Sequence, residues 1–168
     1  VVNRMQPWAL MATISSPPPE SNQSVLDVQL QQHAVEAGRV VVGLETVDEQ
    51  IAALSGMSFS EQLWMLGKSV ADFERSMGLW EGLINNYLER DLARLVNEQE
   101  QLMDDSTDID DRFMYALLDQ RNIKMAKRMH AIMQKQSLFA AIGALHLPGK
   151  NGVLHLLEKQ GYTVTPLY

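Results

Sequence analysis

A periodic row of apolar residues runs through the middle of the sequence. Its members recur at alternating steps of three and four residues: Leu63, Leu66, Val70, Phe73, Met77, Trp80, Ile84 and Tyr87. This spacing places the side chains on one face of a helix. It predicts one long helix, or two successive helices broken near Gly78 or Gly82, packed against neighbouring helices. A two-stranded coiled coil with another subunit is the alternative.

Further helices are predicted on both sides of this row. Residues 7–14 predict a short amphipathic helix, which is far shorter than the roughly 20 residues of a membrane span. After a proline-rich loop at 15–22, residues 25–37 predict a helix capped by Ser24 and stopped by Gly38. Asp91 can start another helix. The chain is therefore expected to be mostly helical.

The segment 104–133 combines an acidic cluster with a methionine-rich helix. The cluster consists of Asp104, Asp105, Asp108, Asp110 and Asp111. It lacks the glycine and the glutamate that a helix-loop-helix calcium site requires, so we interpret it as a solvated loop whose aspartates cap the next helix. In that helix, methionines at helical spacing, such as Met125 and Met129, predict core positions rather than a binding surface.

Three short segments predict β-strands. Residues 40–44 contain the β-branched run of Val40, Val41 and Val42, which favours an interior parallel strand. Residues 138–143 and 162–167 flank a loop and a helix at about 151–159, so this segment predicts a right-handed βαβ crossover. The predicted fold class is α/β: a single domain over 1–168 with a small, mainly parallel sheet and a large helical insertion at 60–136.

His146 and Glu45 are the candidates for chemistry. Each follows a predicted strand, so both would emerge at the carboxyl edge of the sheet, where ligands bind in open α/β folds. Histidine and glutamate are suited to metal ligation or to acid–base catalysis. Structural roles remain open: His146 can bond a carbonyl in its loop, and Glu45 can cap the helix that starts near Val47.

Composition excludes several classes of function. The chain has 14 Lys and Arg against 21 Asp and Glu, a net charge of −7, which argues against a nucleic-acid-binding protein. It has no cysteine, so disulfides, thiolate zinc sites and cysteine nucleophiles are excluded. The loop at 143–151 does not match a phosphate-binding loop, because its glycine spacing is one residue too long and Asn151 replaces the required Ser or Thr.

The segment GALHLPGKNGVLHLLEKQGYTV, from Gly143 to Val164, resembles the C-terminal signature of the TraB/GumN family, which includes the Tiki-type metalloproteases. VVGLETVDEQ at 41–50, DQRNIKMA at 119–126 and QPWAL at 6–10 support the resemblance. It implies two GxxH boxes and a catalytic glutamate that bind a divalent metal for peptide hydrolysis. Gly143 and His146 match the second box, whereas the first would lie on a segment before Val1.

By this resemblance the chain is the C-terminal portion of a metal-dependent, peptidase-like hydrolase, incomplete and inactive by itself. His146 is the expected catalytic residue and metal ligand, and Glu45 a second ligand or base. Arg121, Asn122 and Gly143 are expected pocket residues, with Arg121 contacting an anion or a carboxylate. Because a metal needs about four to six ligands, a divalent ion is expected in the longer protein but no tightly bound one in this chain.

The alternative function is a non-catalytic binding or regulatory module that acts through the helical surface of residues 60–136. We also expect a homo-oligomer, because a truncated sheet would expose apolar faces and a strand edge. Expected partners are a peptide or small-molecule substrate, with no nucleic acid and no membrane span. The resemblance implies a bacterial source and a location in the periplasm or cell envelope, while the cytoplasm stays open.

Overall fold

The computed structural model describes residues 5–14, 25–102 and 107–167. In this part of the chain nine α-helices follow one another: α1 (Pro7–Ile14), α2 (Leu26–Glu36), α3 (Val47–Ser55), α4 (Phe59–Ala71), α5 (Phe73–Leu88), α6 (Leu92–Leu102), α7 (Asp108–Met114), α8 (Gln120–Met133) and α9 (Val153–Lys159). A π-helical turn, Tyr115–Asp119, joins α7 to α8, and a 3₁₀ turn, Ala144–His146, precedes α9.

The predicted α/β fold class is wrong, because the described residues contain no β-strand and therefore no sheet or βαβ crossover. The three predicted strands, at 40–44, 138–143 and 162–167, form no ladder of backbone hydrogen bonds with any described residue. Val40, Phe139 and Leu167 are 87%, 81% and 91% exposed. β-Branched composition favours an extended backbone, but a strand forms only where a neighbour supplies the matching hydrogen bonds.

One hydrophobic core lies between α8 and α9. Its buried members are Met125, Ala126, Met129, Val153 and Leu157. Leu138, Ala140 and Ile142 of the extended segment before His146 pack against it. This confirms that the methionines of α8 are core residues, and it fixes α9 and the preceding turn on α8.

A second core joins α1, α4 and α7. Met11, Met65 and Phe113, one from each helix, are its buried residues. Buried Gln62 accepts a hydrogen bond from the backbone N–H of Trp8 and donates to the carbonyl of Met57 at 2.9 Å. The short N-terminal helix predicted for residues 7–14 is therefore confirmed and packs against α4.

The apolar row forms two successive helices, α4 and α5, which confirms the second of the two predicted arrangements. The break falls at Asp72, however, and not at Gly78 or Gly82. Asp72 ends α4, where its N–H bonds to the carbonyl of Lys68, and it begins α5 without a capping hydrogen bond from its side chain. Several members of the row, including Leu63, Val70 and Ile84, are exposed.

Helix starts follow the predicted capping chemistry in part. Asp91 accepts a hydrogen bond from the N–H of Arg94 at 3.0 Å and starts α6 as expected. Helix α7 is capped by Thr107, with Asp110 completing the reciprocal capping box. The interpretation of the acidic cluster as solvated is wrong for Asp110, which is 1% exposed. Residues 104 and 105, like Ser24 and the loop at 15–22, lie outside the described residues.

Candidate functional site

The GxxH box forms the 3₁₀ turn before α9. The N–H of His146 donates to the carbonyl of Gly143 at 2.9 Å, and that of Leu147 donates to Ala144 at 3.1 Å. The φ of −57° at Gly143 is accessible to any residue, and a Cβ there would make only an ordinary 3.5 Å contact with Cδ2 of His146. The turn therefore holds the imidazole by local hydrogen bonds rather than by backbone strain at Gly143.

A buried amide on α8 contacts the imidazole. Nδ1 of His146 lies 2.7 Å from Oδ1 of Asn122, and Nδ2 of Asn122 donates to the carbonyl of Asn151 at 3.0 Å. The side chain of Asn151 in turn donates to Oδ2 of Asp119 at 2.9 Å. Asn122 on α8 therefore contacts the ring directly, and it is bonded in turn to the loop before α9, which is bonded to the π-helical turn.

Glu45 and Arg121 form a two-pronged ion pair at the same site. The carboxylate accepts from Nε of Arg121 at 2.9 and 3.1 Å and from Nη2 at 2.8 Å, while Nη1 donates to the carbonyl of Leu117. The carboxylate side chain is almost fully buried. Because α3 is capped by Thr46, the interpretation of Glu45 as its cap is wrong.

Burial and charge hold the pKa of His146 below its ordinary value of 6.5. Burial contributes most, the positive charge of Arg121 adds to it, and the negative charge of Glu45 opposes both. The imidazole is therefore neutral at pH 7. The structure brings the predicted site residues into one cluster through contacts with α8, since the described residues form no sheet whose edge could do so.

The turn that carries Glu45 is anchored to α8 by a second ion pair that sequence reasoning missed. Arg128 donates to both carboxylate oxygens of Glu49, at 2.7 and 2.8 Å, and to the carbonyl of Leu44. The bonds from Arg128 to Glu49, with that from the N–H of Thr46, lower the pKa of Glu49 to about 2. Asn151 and Asp119 were missed as well, although both lie within or beside the segments that carry the family resemblance.

The described residues by themselves do not fit a divalent metal. No group of three or more His, Asp or Glu side chains among them is placed to hold an ion. His146 and Glu45 would supply two donors, and Arg121 already occupies about three of the four lone-pair sites of the Glu45 carboxylate. The donor set is therefore too small, whatever the metal.

The other histidines lie away from this site. His33 and His155 are near Glu36 and Glu158 on their own helices, at 3.9 and 3.3 Å. Nδ1 of His130 lies 3.0 Å from the hydroxyl of Tyr162.

None of the described helices has both the length and the apolar character needed to cross a bilayer.

Comparison with known proteins assigns the chain to a family. The model of the TraB/PrgY/gumN family matches residues 1–166. The zebrafish (Danio rerio) protein named Metalloprotease TIKI2 is 30% identical over 166 residues, which cover 83% of this chain and 32% of the relative. Human Metalloprotease TIKI1 is 29% identical, with the same two coverages. A TIKI homolog of Amphimedon queenslandica is 26% identical over 98% of this chain.

The chain thus spans about a third of the length of the two vertebrate relatives. No solved structure matches it. These relatives are animal proteins, so the bacterial source stays a prediction. The family resemblance of the C-terminal signature is confirmed, and the chain belongs to the TraB/PrgY/gumN family.

Proposed function

We propose that this chain contributes the imidazole of His146 to the hydrolytic site of a peptidase-like protein. The observation that carries the proposal is the placement of this ring, with Nδ1 on buried Asn122 and the Arg121–Glu45 pair beside it. The family, and the metalloprotease names of the relatives, support peptide hydrolysis as the reaction class.

Each residue has a role that follows from its contacts. A neutral imidazole can take a proton from an attacking water or bind a metal. Of the five N–H groups of Arg121, about two remain for a substrate carboxylate or another anion. Glu45 holds Arg121 in place. Its carboxylate keeps about one lone-pair site that Arg121 does not occupy, and Glu45 would use this site as a base or as a metal ligand. Gly143 begins the turn that presents the ring.

A divalent metal at this site would need ligands from beyond the described residues. We therefore propose that this chain is one part of a longer hydrolytic domain. By itself we expect it to bind metal weakly and to hydrolyse peptides slowly or not at all, because His146 and Glu45 are too few donors.

The test is peptide hydrolysis by the native protein that contains this chain. We expect His146→Ala to lower kcat/KM by about 100-fold or more, the usual contribution of a positioned acid–base group. His155→Ala is the matched control, since the side chain of His155 in α9 is exposed and contacts only Glu158 of its own helix among the described residues, and it should leave kcat/KM unchanged. The proposal is wrong if His146→Ala retains full activity.

A second candidate function, binding through the helical surface, is favoured by exposed apolar side chains on α4. Phe59, Leu63 and Trp64 are 61%, 47% and 40% exposed. Contiguous exposed apolar residues are uncommon on monomeric proteins and mark interaction surfaces. We propose a second copy of this chain as the occupant, which would make the protein a homo-oligomer.

Light scattering on the purified chain tests this second candidate. We expect a dimer or larger assembly for the wild type and a monomer for Leu63→Glu, because a carboxylate in an apolar interface is costly. Glu74→Gln, at an exposed position on α5, serves as the control. A wild-type monomer at high concentration would refute self-association. If Leu63→Glu abolished the function of the native protein and His146→Ala did not, the hydrolase proposal would give way to the binding module.

A further inference from the structure

The buried amide of Asn122 can have only one orientation. Its Nδ2 donates to the backbone carbonyl of Asn151, which has no hydrogen to give. If the amide were flipped, Oδ1 of Asn122 and the carbonyl oxygen of Asn151 would face each other as two acceptors. Asn122 is 2% exposed, so water cannot compensate for that loss. Oδ1 of Asn122 therefore faces the imidazole of His146.

This orientation decides where the imidazole carries its proton. An amide oxygen only accepts hydrogen bonds, so the 2.7 Å contact requires an N–H on Nδ1 of His146. A neutral imidazole has one N–H, and its Nε2 is then the atom with the free lone pair. No described residue forms a hydrogen bond with Nε2.

We propose that Asn122 is a positioning residue that holds His146 in the tautomer protonated on Nδ1. The functional consequence of this tautomer rests on the proposed hydrolytic role. Nε2 of His146 is then the atom that accepts a proton or binds a ligand. The tautomer itself is a property of this chain and can be measured without any activity. The sequence predicted Asn122 as a pocket residue, but both of its polar atoms are bonded inside the protein and neither is left for a ligand.

The residue whose carbonyl orients Asn122 is itself held in place by a hydrogen bond. The side chain of Asn151 donates to Oδ2 of Asp119, which closes the π-helical turn. Asp119 and Asn122 are three residues apart and so lie on one face, where both contact Asn151. π-Helical turns occur frequently at functional sites. Three successive hydrogen bonds therefore link Asp119 to Asn151, Asn151 to Asn122 and Asn122 to His146.

The test is the tautomer of His146, read from the ¹⁵N chemical shifts of its ring in the full chain at about pH 8, where imidazoles are neutral. We expect the wild-type ring to be protonated on Nδ1. Asn122→Leu removes the acceptor while keeping the branch at Cγ and the number of side-chain heavy atoms, so the form protonated on Nε2, which free histidine prefers, should become the major one. Asn122→Asp keeps an acceptor oxygen and should retain the proton on Nδ1.

The other three histidines are controls in the same spectra, and His146→Gln identifies the signal of His146. His33, His130 and His155 do not contact Asn122, so their tautomers should be the same in all variants. A wild-type His146 protonated on Nε2 would overturn the proposal even if Asn122→Leu failed to fold. The proposal would also be overturned if a folded Asn122→Leu variant kept the proton on Nδ1 of His146. The same holds if the Asn122→Asp variant lost the proton from Nδ1. A negative peptide-hydrolysis assay would refute only the proposed function.

Discussion

Gly152→Ala is expected to lower the free energy of unfolding by about 3 kcal/mol, because the added methyl group has no room. A Cβ at this position would lie 2.0 Å from the carbonyl oxygen of Pro148 and 2.4 Å from that of Leu147. Both are backbone atoms, so the clash is relieved only by moving the loop. The φ of −70° at Gly152 suits any residue, and close approach alone requires glycine.

The same loop contributes to the candidate site. Its Asn151 carbonyl receives the bond from Asn122, and the N–H of Leu154 donates to Leu147 at 3.3 Å. Displacement of the loop should therefore weaken both α9 and the position of His146. Urea and thermal unfolding measure the effect, and in a domain of this size each kcal/mol lowers the Tm by roughly 2–4 °C.

Two other glycines provide matched controls. Gly67 lies inside α4 with no described atom within 4 Å of an added Cβ, so Gly67→Ala should raise stability by about 1 kcal/mol. Gly149 has a φ of +87° and equal space, so Gly149→Ala should cost about 1 to 2 kcal/mol through backbone strain alone. If Gly152→Ala unfolded at the same midpoint as the wild type, the close approach of the Pro148 and Leu147 carbonyls to Gly152 would be absent.

Lys68→Met should cost about 2 to 3 kcal/mol at neutral pH, because it leaves a buried carboxylate without its cation. Nζ of Lys68 donates to Oδ2 of Asp110 at 2.8 Å, and this oxygen also accepts from the N–H and hydroxyl of Thr107. Methionine keeps the length of the side chain beside Trp64, so the loss reports the charge rather than the packing.

The cost should depend on pH with a defined sign. Burial alone would raise the pKa of Asp110, but the hydrogen bonds from Lys68 and Thr107 outweigh it, so the pKa lies below the ordinary 3.8. In the wild type this stabilisation is complete above pH 3.8 and is lost as the pH falls through the lower folded-state pKa. Once Asp110 is protonated in both proteins, the difference between wild type and Lys68→Met should vanish.

A double-mutant cycle isolates the pair. Asp110→Asn removes the buried charge, so it should recover most of the loss in a Lys68→Met background. Lys127→Met is the control, because Lys127 is exposed on α8 and makes no ion pair with any described residue, and it should change stability by less than about 0.5 kcal/mol. Equal losses for Lys127→Met and Lys68→Met would contradict the role assigned to the pair.

Part of the candidate site could be predicted from the sequence, though for a partly wrong reason. The quoted motifs contain Glu45, Arg121, Asn122 and His146, but the sheet edge that was to join Glu45 and His146 is absent from the described residues. Two consecutive residues of α8 join them instead, because Arg121 binds Glu45 and Asn122 contacts His146. Glu45 and Arg121 are 76 residues apart in sequence, a separation for which periodicity and spacing carry no information.

The sequence by itself determined that these segments are helical and where several of them end, because apolar periodicity, capping side chains and glycine stops act within a few residues. It also determined that methionines of α8 lie in the core. Only the tertiary structure decided that Asp110 is buried against Lys68, that Asn122 bridges His146 and Asn151, and that the β-branched segments form no sheet among the described residues. Burial, ion pairing and strand pairing each depend on a partner distant in the chain, and local sequence does not specify that partner.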